Sequence, residues 1–551
     1  MQVKTGWVRP PHAIGGLDHL GTQAPCVLIY SQLLPGITNV TDRARYYSFY
    51  PWVVWSFDKR FPNASADTLR EFYRRADCLF SLIAERHSRQ TDHDHELHGA
   101  AMVGRVQLVP ALDRLEKGQE LRLSDYTGSA PGRRYFLNPF GGLGQYYAGA
   151  LSQLELMDPS SKPWMKYTVE RGQPLAEAIE VATPASYFWD VLERDVVTLG
   201  DLDHLAGFCA CSIRHNPIEQ QRLHDIFFDR KSEFAELGLQ RRKTLALLLH
   251  LSRELHKTGG HDLTEARFRA AVYAGTLPGQ HSYLIPPTLR STKDAWALYQ
   301  RNDLLSVTMQ SVFAICLEQL LGSGAHDDID GSSVERFAQS LARSSLVGEA
   351  CSRLDAPSLA TLVHKLSRDG VSISDWEHPD HEIATAQRLA AGVERHTPRD
   401  ELLSDALRVI ALLYVRDDLT ARAYGNLPIT DDALEDYPIN LASFRARYGR
   451  WQDCPLPELF ADLFAWLMNT HLRVALRKLR QTTHSTFRFR PTERGLQVVD
   501  DVPPPAPTTP RFRQAVQVLR DVGALDRDRG LPGKPTIPSP DGTRLMEEIL
   551  G

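Results

Sequence analysis

The stretch Leu304-Leu305-Ser306-Val307-Thr308-Met309-Gln310-Ser311-Val312-Phe313-Ala314-Ile315-Cys316-Leu317-Glu318-Gln319-Leu320-Leu321 decides the fold class. Leu305, Met309, Val312, Phe313, Cys316 and Leu320 fall at i, i+4, i+7, i+8, i+11 and i+15, the spacing that lines one face of a long α-helix. Gln310, Glu318 and Gln319 interrupt the run, whereas a membrane span needs about 20 nearly unbroken apolar residues. A buried core helix is expected here, and no transmembrane segment.

The same period governs most of the chain. Between Asp67 and His87 it is carried by Leu69, Phe72, Ala76, Leu79, Phe80 and Ile83, and it recurs through residues 186–480. No comparable run alternates with period two, so strands should be confined to short hairpins. A chain of 551 residues exceeds one hydrophobic core, which stops growing at roughly 250–300 residues. The expected architecture is mainly α and multi-domain. Its parts are read as 1–125 (helical, aromatic-rich), 126–185 (a helix–hairpin–helix segment), 186–470 (helical) and 471–551 (basic).

Composition removes several classes. Hydrophobic residues at 42% and charged residues at 24% suit a globular chain rather than a disordered or fibrous one. Met1-Gln2-Val3-Lys4-Thr5-Gly6-Trp7 lacks the basic start and apolar run of a secretory signal. Cys26, Cys78, Cys209, Cys211, Cys316, Cys351 and Cys454 are odd in number and dispersed, the usage of reduced thiols. A cytoplasmic chain without membrane contact is expected. The net charge of −5 conceals an asymmetry: residues 473–534 hold 13 Arg or Lys against 6 Asp or Glu, a surplus of 7 that leaves −12 elsewhere.

Near the N-terminus, Pro35-Gly36 reads as a turn and Asn39, Thr41 or Asp42 as the cap of a helix rich in aromatic residues. Such a stripe ordinarily fills a core; the other reading is a stacking surface with Arg43 and Arg45 at its rim. Arg43-Ala44-Arg45-Tyr46-Tyr47 with Pro51-Trp52, and Met102-Val103-Gly104-Arg105, resemble elements of uncharacterised bacterial helical proteins encoded near DNA-defence genes. The resemblance covers about the first 150 residues. It implies a context, DNA defence among partner proteins, and supplies no catalytic residue.

Two segments share one pattern. Leu151–Met157, a polar gap and residues 166–179 match Leu519–Leu525, a polar gap and residues 536–549, with Gly172 opposite Gly542, Leu175 opposite Leu545 and Ile179 opposite Ile549. Each reads as a helix, a hairpin and a second helix, an order similar to the latter half of a winged-helix domain. In the second copy Phe512, Ala515, Val516, Val518, Leu519 and Val522 define a buried side, while Arg513, Gln517 and Arg520 share another face, as a helix laid in a DNA major groove requires. Arg527, Arg529 and Lys534 fall in or beside the hairpin. Upstream, Arg473, Arg477, Lys478 and Arg480 cluster on a helix, and Arg488 and Arg490 alternate with Phe487 and Phe489 in a strand. Such clusters attract phosphate irrespective of base sequence. The matching face of the first copy, Gln145, Gly149 and Ser152, is uncharged.

Catalytic and metal signatures are incomplete, and neither a metal nor a cofactor is expected. His93-Asp94-His95-Glu96-Leu97-His98, near His87, reads as a solvated loop without helical His-Glu-x-x-His placement. Cys209-Ala210-Cys211, with His204 and His215, has one intervening residue where structural zinc sites use two to four. Asp327-Asp328-Ile329-Asp330 lacks the calcium-loop ligands at its first and twelfth positions, which are His326 and Phe337. The expected function is a non-enzymatic, DNA-associated sensor or assembly subunit of a bacterial antiphage-defence or DNA-maintenance complex, with DNA and protein partners. The alternatives are a protein-binding scaffold without DNA contact and a metal-dependent nuclease using Asp225 and Asp229.

Overall fold

The computed structural model describes residues 18–40, 43–91, 102–127, 138–322, 329–369, 375–420, 437–482, 485–528 and 535–551. The described residues are 67% helix and 6% strand, and their strands form two-stranded antiparallel hairpins or ribbons. It is mainly α, as the helical period requires. Contacts divide it into two compact units, Met1–Ser31 with Ala266–Pro510 and Gln32–Glu265 with Arg511–Gly551. Neither unit is continuous in sequence, and the 471–551 segment contributes to both.

The first unit is built around the helix Arg290–Gly322, which packs on the helices Glu382–Glu394, Arg399–Thr420 and Leu456–Thr482. By length and composition residues 287–322 would suffice to cross a membrane, but the apolar window is 78% buried inside the protein, as in a core helix. The apolar face read from sequence is buried, and so is much of the opposite face. Three polar side chains there have partners: Arg301 donates to the Leu413 carbonyl at 3.1 Å, Ser306 to Thr22 Oγ1 at 2.9 Å, and Asp303 accepts from the Thr508 N–H at 2.7 Å. Burial of these three residues is tolerated because each is hydrogen-bonded.

His471, on the Leu456–Thr482 helix, ties three parts of this unit together. Its Nδ1 lies 3.1 Å from the His19 carbonyl, and its Nε2 accepts from the Arg488 N–H at 2.9 Å. The pair of contacts selects the neutral tautomer protonated at Nδ1. Burial, with Arg488 and Lys478 nearby, pushes the imidazole down to about 4, and burial with the same two cations and His471 pushes His19 down to about 3.

The second unit centres on the helix Tyr46–Arg60, whose residues from Tyr46 to Phe57 are buried throughout. Its rings meet others: Phe49 stacks on Phe80 at 4.2 Å, Tyr47 meets Phe227 edge-on at 5.1 Å, and Trp52 meets Phe188 at 5.2 Å. The polar handles are satisfied as well, Tyr50 donating to Asp77 at 2.8 Å and Trp52 to Glu180 at 2.7 Å. The aromatic stripe is therefore core. Arg43 and Arg45 are buried too, at 0% and 1% exposure, and form no rim. The residue flanking the helix is Arg45, with no side-chain cap; of the proposed caps, Thr41 and Asp42 lie outside the described residues, and Asn39 is not the cap.

The duplication read from sequence is present in atomic detail. The first copy runs Ala148–Gln153, Met157–Asp158, Lys166–Tyr167, Gly172–Ala182; the second runs Phe512–Asp521, Leu525–Arg527, Thr536–Pro538, Pro540–Leu550. The chain turns at a positive φ in both, Glu155 at 52° and Gly523 at 75°. The next N–H closes on the helix, Leu156 on the Leu151 carbonyl and Ala524 on the Leu519 carbonyl, each at 2.8 Å. A hydroxyl then bridges back, Thr168 to the Glu155 carbonyl and Ser539 to the Gly523 carbonyl, each at 2.6 Å, and that same hydroxyl receives the N–H of Gly172 or Gly542 at 3.0 Å. A Cβ at Gly172 would sit 2.1 Å from the Leu156 carbonyl oxygen, and one at Gly542 1.9 Å from that of Ala524. Both glycines are required for close backbone approach.

Two outcomes follow. Gly172→Ala and Gly542→Ala should each destabilise the protein by about 1–3 kcal/mol through overpacking, measured by urea denaturation; an unchanged midpoint for both would contradict the shared geometry. The unfolded chain binds a proton at His471 below the ordinary value of 6.5, whereas the folded chain resists until about 4. Stability from this group is therefore complete above 6.5 and lost as pH falls toward 4, at about 1.4 kcal/mol per pH unit. Asp18, pushed up by burial, titrates with the opposite sign, so the measurement is the difference between the wild type and His471→Gln, whose stability should fall less steeply over that window.

Candidate functional site

The helix Phe512–Asp521 was expected to present Arg513, Gln517 and Arg520 outward. Only Arg513 is exposed. Gln517 is 7% exposed and donates to Asp521 at 3.0 Å, and half-buried Arg520 reaches the Thr536 hydroxyl at 2.8 Å. Gln517 therefore forms no part of an outer recognition face. The cause is Asp521 itself, fully buried and gripped by Arg43 through Nε at 3.0 Å and Nη2 at 3.1 Å, with the Ala44 N–H on the same carboxylate at 2.9 Å. Burial pushes the Asp521 carboxyl above its usual range, opposed by Arg43 and these hydrogen bonds. A buried carboxylate needs every lone pair met, and Gln517, one turn earlier, meets one. A second buried pair lies beside it: Arg45 to Glu219 at 2.8 Å, with Ser48 and Asn216 completing Glu219.

On Leu456–Thr482 the arrangement is different. Arg473 and Arg480 are exposed and Arg477 is half-buried. Their i, i+4 and i+7 spacing sets them on one face. Lys478 leaves the cluster: it is 2% exposed, and its ammonium donates to the Asp18 carbonyl at 2.7 Å. Arg473 and Arg480 have no carboxylate partner among the described residues, whereas many other surface arginines do, such as Arg60 on Asp190 and Glu193 or Arg230 on Asp225 and Glu548. Arg490, in the hairpin Phe489–Thr492 with Gly495–Val498, is also exposed, while Arg488 pairs with Asp500 at 2.7 Å. Arg527 is half-buried on its strand; Arg529 and Lys534 lie outside the described residues.

The residues of the nuclease reading keep different partners. Asp229, at a φ of 44°, accepts the N–H groups of Glu233 and Phe234 and so stabilises its own loop, whereas Asp225 holds Gln221 and Arg230. Asp225 and Lys231 line an open cavity of about 450 Å³ with Arg171, Arg222 and Glu233, a mixed-charge wall in which Asp229 takes no part.

One cluster went unread. His87, near the end of the helix Ala66–Thr91, faces Cys211 with Nδ1 3.4 Å from Sγ, and Cys209 Sγ joins them so that the three ligand atoms lie within 4.8 Å of one another. His204 and His215, the partners considered from sequence, are absent from this set. Cys209 adopts extended backbone, φ −54° and ψ 144°, between the 3-10 turns Ala206–Phe208 and Ala210–His215. Buried Arg45 pins that kink by donating to the carbonyls of Gly207 and Cys209 at 2.9 and 2.8 Å. Arg86 and Gln90, flanking His87 on its helix, both reach Asp203, at 2.8 and 2.7 Å. The Cys211 thiol raises the His87 imidazole above its ordinary range, against burial. The His93–His98 run lies outside the described residues.

Removing one partner of a buried pair leaves the other charge unmet, at a cost of about 3–5 kcal/mol. Asp521→Ala should lose that much stability by chemical denaturation, and Arg43→Met with Asp521→Leu together should recover part of it; additive losses would contradict a direct pair.

No protein-family model, curated protein or solved structure matches the chain.

Proposed function

We propose that the chain is a non-enzymatic, DNA-associated subunit of a bacterial antiphage-defence or DNA-maintenance complex, acting in the cytoplasm with protein partners. Phosphate contact falls to Arg473, Arg477 and Arg480, in place of the Phe512–Asp521 helix. The observation carrying this reading is that Arg473 and Arg480 stand exposed on one helical face without a carboxylate among the described residues. Guanidinium groups so placed meet phosphate with little internal competition. Arg490 and exposed Arg513 add positive charge in their own units.

A protein-binding scaffold is the second reading, favoured by Leu476 and Leu479, which are 47% and 38% exposed among the same arginines. Apolar side chains between cations suit an acidic, partly apolar protein surface better than a duplex.

Salt dependence separates the two. Three phosphate contacts give a slope of about −2.7 in log K against log salt, measured by fluorescence anisotropy with a labelled duplex. Arg473→Ala with Arg480→Ala should flatten the slope by about 2 and weaken binding alike on unrelated duplexes. An intact chain that fails to bind duplex DNA at low salt overturns the proposal, and capture of a partner lost on Leu476→Asp then supports the scaffold.

A further inference from the structure

Two thiols and an imidazole, brought together from 124 residues apart in sequence, carry an inference that lies beyond the DNA reading. Zinc bound by Cys at about 2.3 Å and His at about 2.1 Å places S and N about 3.6 Å apart in a tetrahedron. The His87 Nδ1 to Cys211 Sγ distance of 3.4 Å is already close to that, and Cys209 Sγ lies within 4.8 Å of both. The one-residue spacing that argues against a zinc turn is overcome by the backbone, because the extended Cys209 between two 3-10 turns lets residues 209 and 211 converge.

The cluster is held before any ion arrives. Arg45 fixes the carbonyls on either side of the kink, and Arg86 and Gln90 lock the His87 turn to Asp203. Pre-positioned ligands cost little to order on binding. Cys209 is fully buried, whereas Cys211 and His87 are half-buried, so the ligands meet at an edge of the core with a route from solvent.

We propose that His87, Cys209 and Cys211 bind one zinc ion, with the fourth position taken by solvent or a ligand from solution. Two thiolates and one imidazole suit a borderline-soft divalent ion and disfavour magnesium or calcium. Binding releases the thiol protons to solvent and leaves the ligand set at charge −2 against the ion's +2.

The test uses the full chain, expressed with added zinc, purified under reducing conditions and dialysed against metal-free buffer. Elemental analysis should find one zinc per chain, and cobalt(II) titrated into stripped protein should give thiolate charge-transfer bands with tetrahedral visible absorption. Cys211→Ser and His87→Gln, both at half-buried positions, should each weaken zinc affinity by at least roughly tenfold while circular dichroism stays that of the wild type. Background zinc in the intact chain, or unchanged affinity in both folded variants, overturns the assignment. Loss of zinc in a chain carrying His93→Ala, His95→Ala and His98→Ala, with retention in the first two variants, gives the metal to that histidine run and overturns it equally. A disulfide between Cys209 and Cys211 in protein kept reduced would do the same.

Discussion

The ion pair between Arg43 and Asp521 bridges 478 residues of sequence and closes the unit formed by residues 32–265 and 511–551. Both side chains are fully buried. Such a pair adds little net stability over a well-packed apolar one, because desolvation consumes the Coulombic gain. Its effect is on register. Were the 512–521 helix to slip by one residue, a guanidinium and a carboxylate would both be buried without partners. Arg45 and Glu219 repeat the device two residues on, so the start of the aromatic helix is keyed to two separate acidic residues.

The duplicated motif shows how one backbone solution is reused with different neighbours. Both copies need a positive-φ residue after the first helix, a hydroxyl that bridges back, and a glycine where the closing helix meets a carbonyl. Around that kernel the packing diverges. The Gly172–Ala182 helix lies on the aromatic helix, and the Pro540–Leu550 helix lies on Ala235–Lys257. The shared kernel sets how each hairpin meets its closing helix, and most of the 512–521 helix is buried.

The helical class, the core helix at 290–322 and the repeat were legible because period and glycine placement are local properties. The outward face of the 512–521 helix was misread, since amphipathic spacing cannot distinguish a polar side chain facing water from one serving a buried carboxylate. Gln517 and Lys478 are both of the second kind. The alternative of a rim at Arg43 and Arg45 stayed open for the same reason: their partners, Asp521 and Glu219, are remote in sequence. The approach of His87 to Cys209 and Cys211 was not legible, because nothing in local spacing joins the end of one helix to a kink more than a hundred residues later.

The discontinuity of the two units sets the order in which they can form. Synthesis delivers residues 32–265 first, yet the segment that meets Arg43 and packs on Ala235–Lys257 follows only after residues 266–510 have been made. Until then Arg43 lacks its carboxylate and the apolar face destined for Pro540–Leu550 is uncovered, for a time set by translation at about 5–20 residues per second. Completion of this unit thus waits on translation of the intervening residues 266–510, and a nascent chain stalled short of residue 511 would hold an unfinished core.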